Sequence, residues 1–155
     1  MPETHTLGEF RAKFRVDELL VAKTNAWSWS VRPDQPTLGA GILSLNRFAL
    51  RLSEVTPAEM AELGELIATL ERAVKQAFPS YDIMNYLMLM MKDHYVHYHV
   101  VPRYPSPCTF MGLTWMDNGG RPGLPALGER QHKDREDVLQ GIQKALRDAL
   151  EVDVR

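Results

Sequence analysis

The segment Tyr95-Val96-His97-Tyr98-His99-Val100-Val101-Pro102-Arg103 limits the folds open to this chain more than any other. From 95 to 100, histidine or tyrosine alternates with valine or tyrosine, the period of two expected of a strand with one face in a core. Tyr95, His97, His99 and Val101 then point one way, and Val96, Tyr98 and Val100 point the other. Pro102 has no amide N–H for a ladder, so the strand must lie at an edge or end there. Just upstream, Asp82 to Met91 is nearly all apolar and reads as a second strand, with Lys92-Asp93-His94 as the polar link of an antiparallel hairpin.

The rest of the chain supplies what such a hairpin packs on. Residues 8–20 carry Phe10, Phe14 and Leu19 among charges, the pattern of a short amphipathic helix. β-Propensity rises over 19–30, with Val21, Trp27 and Trp29, until Arg32-Pro33-Asp34-Gln35-Pro36 breaks the run. Residues 37–45 (TLGAGILSL) read as a glycine-containing strand, where a bulge or a close backbone approach is expected. The clearest helix follows. Thr56 suits the N-cap, Pro57 the first position and Glu59 completes a capping box. Met60, Leu63, Leu66, Ile67, Leu70, Val74 and Phe78 then recur at helical spacing up to Pro79. Residues 105–131 are rich in proline and glycine and read as a long loop, functional or mobile. Val138, Ile142, Leu146 and Leu150 mark a closing amphipathic helix over 132–153. The order predicts an α+β fold, with helices packed on a mainly antiparallel sheet.

Composition narrows the function classes. A chain of 155 residues that is 45% hydrophobic is enough for one well-cored domain, spanning 1–155 with its core at about 8–130. A net charge of −2 gives no long-range attraction to nucleic acid or an acidic membrane, whereas a small anionic ligand needs only a few local donors. Cys108 is the lone cysteine, which excludes an intrachain disulfide and argues against a cysteine-based metal site. Met1-Pro2-Glu3-Thr4-His5 has neither region of a signal peptide, and the longest apolar run, Tyr86 to Met91, is too short to span a membrane. A soluble, cytoplasmic protein is expected.

His97 and His99, two apart on one strand face, are open to three readings. One is metal ligation, another is nucleophilic and acid–base chemistry, and the third is a partly exposed structural pair. No carboxylate or cysteine stands at a spacing that completes a metal site; Asp93, the nearest, falls in the turn.

Residues 95–103 resemble the signature of the histidine triad family, in which histidines alternate with apolar residues before Pro-Arg. Tyr81 to Asp93 (YDIMNYLMLMMKD) is similar to a bacterial, diadenosine-tetraphosphate-hydrolase-like branch of that family, and Trp27 to Arg47 resembles the same branch's nucleotide-side hairpin. The resemblance implies a five-stranded antiparallel sheet with two main helices, and a homodimer formed by joining sheets. It implies a nucleotide hydrolase or nucleotidyl transferase that needs no metal or cofactor. The middle histidine, here His97, attacks an α-phosphate to form a covalent nucleotidyl-histidine, and His99 contacts the phosphate or leaving group. It places Arg32 on the ribose side and Trp29 with Val31 in the wall that holds base and ribose, although Trp29 also reads as plain core. Arg103 either approaches phosphate or pairs with a surface carboxylate. Asn85 either bonds ligand or loop, or pins the neighbouring strand. Dinucleoside polyphosphates, nucleoside phosphoramidates, adenylylated amines and nucleotide sugars all remain open as substrates.

Two departures stand out. Residues 82–92 contain no glycine, so the glycine-rich phosphate loop of better-known members is absent. The first triad position is Tyr95. If that position serves through its backbone carbonyl, orienting the His97 ring, tyrosine preserves the site and adds a hydroxyl for a phosphate oxygen. If its imidazole relays protons, activity falls and a nucleotide-binding or interaction protein with a degraded triad results. A metal-binding protein using His97 and His99 is the third reading.

Overall fold

The computed structural model describes residues 6–120 and 122–153, so the reading of residues 1–5 lies outside the described residues. The chain runs α1 (Leu7–Lys13), β1 (Leu20–Lys23), β2 (Trp27–Val31), β3 (Gly41–Leu45), a 3-10 turn (Leu52–Glu54), α2 (Pro57–Ala77), β4 (Ile83–Leu87), β5 (His97–Arg103), β6 (Cys108–Phe110), β7 (Leu113–Trp115) and α3 (Glu136–Asp153). Five strands form an antiparallel sheet in the order β1-β2-β3-β5-β4, and β6 and β7 pair as a separate hairpin. The fold is α+β, with a five-stranded antiparallel sheet and three helices.

α2 forms for the reasons its sequence states. The Thr56 side chain accepts from the Glu59 amide while the Glu59 carboxylate accepts from the Thr56 amide, so two otherwise orphaned donors are satisfied. Its buried stripe is Leu63, Leu66, Leu70, Ala73 and Val74. This stripe packs with α3, through Val138, Ile142 and Leu146, over one face of the sheet, which contributes Trp27, Trp29, Leu43, Leu45, Val96 and Val100. Each large apolar side chain so buried contributes roughly 1.5–3 kcal/mol of transfer free energy.

The opposite face is covered differently. α1 has only 7 residues, too few to persist alone, and Phe10 and Phe14 hold it down on Ile42 and Tyr95 in a second, smaller cluster. The register puts Ile42 opposite His99 and Ser44 opposite His97, so the histidines share this second face. The alternation expected across 95–100 is therefore present, with Val96 and Val100 in the main core.

Several element boundaries differ from expectation. The run 19–30 is two strands, because Thr24 turns the chain: its hydroxyl accepts from the Ala26 and Trp27 amides. The strand expected over 37–45 begins only at Gly41, after a turn at Gly39 with φ of 89°. A Cβ at Gly41 would lie 2.9 Å from the Ser30 carbonyl oxygen, the close backbone approach its position in the strand suggested. Helix 8–20 stops at Lys13, and helix 132–153 starts at Glu136. The loop 105–131 contains the β6–β7 hairpin, turned through Met111 and Gly112, both at positive φ.

Candidate active site

β5 delivers His97 and His99 side by side, their ring centroids 5.0 Å apart and nearly perpendicular. Both line a cleft of about 450 Å³, a size suited to a small organic ligand. Lys13 and Phe14 from α1, Arg32 and Asp34 beyond β2, Leu89 to Asp93 ahead of β5, and Leu127, Gly128 and Arg130 complete its walls. Lys13 is ion-paired with Asp93 at 2.7 Å, and Arg130 with Asp34 at 2.8 Å.

The decisive contact is that of His97 Nδ1, which lies 2.5 Å from the Tyr95 carbonyl oxygen. A carbonyl only accepts, so Nδ1 carries the ring proton and Nε2 keeps its lone pair. Burial lowers the pKa of His97 against the opposing pull of that carbonyl and of Asp93, which favours the neutral ring. Burial pushes His99 down to about 3, with the charges of Arg32 and His97 adding to the effect. Phe10, its ring 4.8 Å from that of His97, is part of the apolar wall responsible.

These depressed values have a consequence for stability. In the unfolded chain both histidines take up a proton near their ordinary pKa of about 6.5, whereas the folded chain resists it. The contribution of His99 to stability should therefore be constant above pH 6.5 and fall by about 1.4 kcal/mol per pH unit as pH drops from 6.5 toward 3, and the lowered pKa of His97 acts in the same direction. Urea midpoints at pH 7.5, 6 and 5 measure it. His99→Gln should flatten the slope, and an unchanged slope in that variant would refute the assignment.

The structure brings His97, His99 and Arg32 into one cleft and places the other candidate residues elsewhere. Tyr95 precedes β5; its side chain is buried against Phe10, and its hydroxyl donates to the Leu45 carbonyl. The hydroxyl expected at a phosphate oxygen is thus turned into the β3 side of the fold. Trp29 lies on the far sheet face, in the main core, because its cross-strand partner Leu43 points there. Arg103 donates to Asn85 at 2.8 Å and also bonds Asp117, Gly120 and Gly123, beside a second cleft that Arg103 and Pro122 to Pro125 line. Arg103 pairs with Asp117, which is buried rather than on the surface.

Sequence reasoning missed Lys13, Ser30 and Ser44. Ser44 is the cross-strand partner of His97, and the hydroxyls of Ser30 and Ser44 are buried with no hydrogen-bond partner among the described residues. The signal was there: in SWS and LSL, serines take the strand positions that share a face with the histidines. Among the described residues, no group of three or more histidine, cysteine, aspartate or glutamate side chains is arranged to hold a metal. No helix of the described residues is long and apolar enough to cross a membrane.

No protein-family model matches the sequence, and no curated protein matches it. Solved structures do. A hypothetical histidine triad nucleotide-binding protein from Sulfolobus tokodaii superposes with a TM-score of 0.65 at 14% identity, covering 86% of this chain and 84% of its own. A histidine triad protein from Bradyrhizobium japonicum gives 0.65 at 17% identity, over 97% and 99% of the two chains. A zinc-bound histidine triad family protein from Mycobacterium smegmatis gives 0.64 at 17%, over 94% and 95%. The fold is that of histidine triad proteins.

Proposed function

We propose that this chain is a nucleotide hydrolase or nucleotidyl transferase of the histidine triad type, with His97 as nucleophile. The observation that carries the reading is the bond from His97 Nδ1 to the Tyr95 carbonyl, which leaves an unprotonated Nε2 in a 450 Å³ cleft. The Nε2 lone pair forms a bond to the α-phosphorus while the bond to the leaving atom breaks, and its electron pair departs with the leaving group. Nδ1 keeps its proton throughout, and the Tyr95 carbonyl dipole faces the positive charge that develops on the ring. Water or another acceptor then attacks phosphorus, gives up a proton, and the electrons of the Nε2–P bond return to the ring. His99, neutral and one inward-facing position further along β5, contacts the phosphate or the leaving atom.

Because the Tyr95 main chain provides this contact, the absent first histidine costs little. Tyr95→His should change kcat/KM by no more than about tenfold, or ~1.4 kcal/mol of barrier. Acid-sparing quench and mass spectrometry on wild type should show a nucleotidyl adduct on the peptide bearing His97. A rise of several orders of magnitude on restoring histidine, with no adduct in wild type, would instead select a nucleotide-binding protein with a degraded triad. The same reading takes the chain as a single domain, a homodimer and a cytoplasmic protein that needs no cofactor, and it keeps diadenosine polyphosphates among the substrates to test.

A further inference from the structure

The sheet sets out the histidine face in rows. His97 stands opposite Ser44, and one row on, His99, Ile42 and Ser30 align across β5, β3 and β2. Arg32 follows Ser30 by two positions, with its amide bonded to the Ala40 carbonyl, so its side chain leaves the same face in the next row. The nucleophile, the second histidine and the arginine thus follow one another along the cleft.

Arg32 is only 9% exposed. Its Nη1 donates to the main-chain carbonyls of Asp34 and Leu127 at 3.1 and 3.0 Å, and its buried Nε has no partner among the described residues. Asp34 and Asp93, the carboxylates lining the cleft, are paired with Arg130 and Lys13. The guanidinium is therefore a buried cation hydrogen-bonded to no carboxylate of the described residues. That arrangement is costly unless an anion arrives to complete it, and a guanidinium edge is shaped for phosphoryl oxygens.

We propose that Arg32 is the specificity-determining residue of this cleft, its guanidinium holding a second phosphoryl group on the leaving side of the α-phosphate. The inference rests on His97 being the nucleophile. With the α-phosphate at His97 Nε2 and the leaving atom toward His99, the next phosphoryl group takes the Arg32 end of the cleft, in place of the ribose that the resemblance put there. Among the substrate classes open to such a site, Arg32 selects those with negative charge beyond the α-phosphate over phosphoramidates, whose leaving group is neutral.

The full chain tests this with Arg32→Gln and Arg32→Lys. The quantity read is the ratio of kcat/KM on diadenosine tetraphosphate to that on adenosine 5′-phosphoramidate. It should fall at least ~30-fold in Arg32→Gln, through the loss of charge-assisted hydrogen bonds made only by the longer substrate. An unchanged ratio at an unchanged melting temperature would overturn the proposal. If Arg32→Gln does not fold, Arg32→Lys decides, since a point charge lacks the Nε–H donor and the ratio must still drop. Calorimetric titration with inorganic tripolyphosphate separates this proposal from the one beneath it. Binding at least ~10-fold weaker in Arg32→Gln than in wild type supports Arg32 as the anion site even if neither nucleotide is turned over. Equal binding refutes it even if His97 proves to be the nucleophile.

Discussion

His97→Ala is expected to lower kcat/KM on the best nucleotide substrate by at least ~10⁴-fold, about 5.5 kcal/mol of transition-state stabilisation. The expectation follows from the proposed covalent mechanism: with no Nε2 lone pair its first bond to phosphorus cannot form, and no other side chain described in the cleft offers an equivalent neutral nitrogen held by a carbonyl. Alanine also opens space beside Phe10 and Phe14, so a melting curve must accompany the assay. A readout that packing alone would not move is rescue: added imidazole should restore part of the turnover to His97→Gly, and none of it to His99→Gly. Retention of more than a few per cent of wild-type kcat/KM by a folded His97→Ala would remove His97 from the nucleophile's role.

The parts of the fold legible in the sequence are those where one local pattern meets one local cause. α2 carries its own cap, stripe and stop in Thr56, Glu59, Leu63 to Val74 and Pro79, and no distant residue was needed to place it. β5 was legible because valine and histidine cannot exchange faces without burying the wrong set. What failed was decided at long range. Residues 82–91 read as one nearly all-apolar strand, yet only Ile83–Leu87 is strand and Leu89 and Met91 are exposed; β4 is the sheet edge, with no strand of the described residues beyond it. Apolar composition cannot tell an edge from a centre.

The candidate site divides in the same way. The parity of Tyr95, His97 and His99 was readable, and so was a carbonyl at position 95 that meets the His97 ring. The destination of the tyrosine hydroxyl was not, since its acceptor Leu45 lies 50 residues earlier in the chain. Trp29 was drawn into the site by resemblance, although its own parity relative to Ser28 and Ser30 puts it on the helix side of the sheet. Arg32 kept its place in the cleft, and its partners there explain why: Asp34 is a neighbour in sequence, but Leu127 arrives from a loop 95 residues away.

Asp117→Ala should be the most damaging single change to stability away from the histidines, costing ~3–5 kcal/mol. The side chains of Arg103 and Asp117 are each only 3% exposed, joined at 2.6 Å through Nε and at 3.1 Å through Nη2. Arg103 also donates to Asn85 and to the Gly120 and Gly123 carbonyls, while Asp117 accepts from the Tyr104 amide. This one guanidinium therefore ties Asp117, Gly120 and Gly123 to the end of β5. Deleting the carboxylate leaves a buried cation among neutral acceptors, which is why the cost exceeds that of an exposed ion pair by several-fold. For a chain of this size the melting temperature should drop by roughly 10–15 °C. The double variant Arg103→Met with Asp117→Leu should recover much of the loss, because it removes both charges and leaves neither stranded. The same segment runs on to Leu127, Gly128 and Arg130 in the wall of the histidine cleft, so at a temperature where Asp117→Ala is still folded KM should rise before kcat falls. A loss under ~1 kcal/mol with the m-value unchanged would show that water reaches Arg103 and that the pair does not hold the loop.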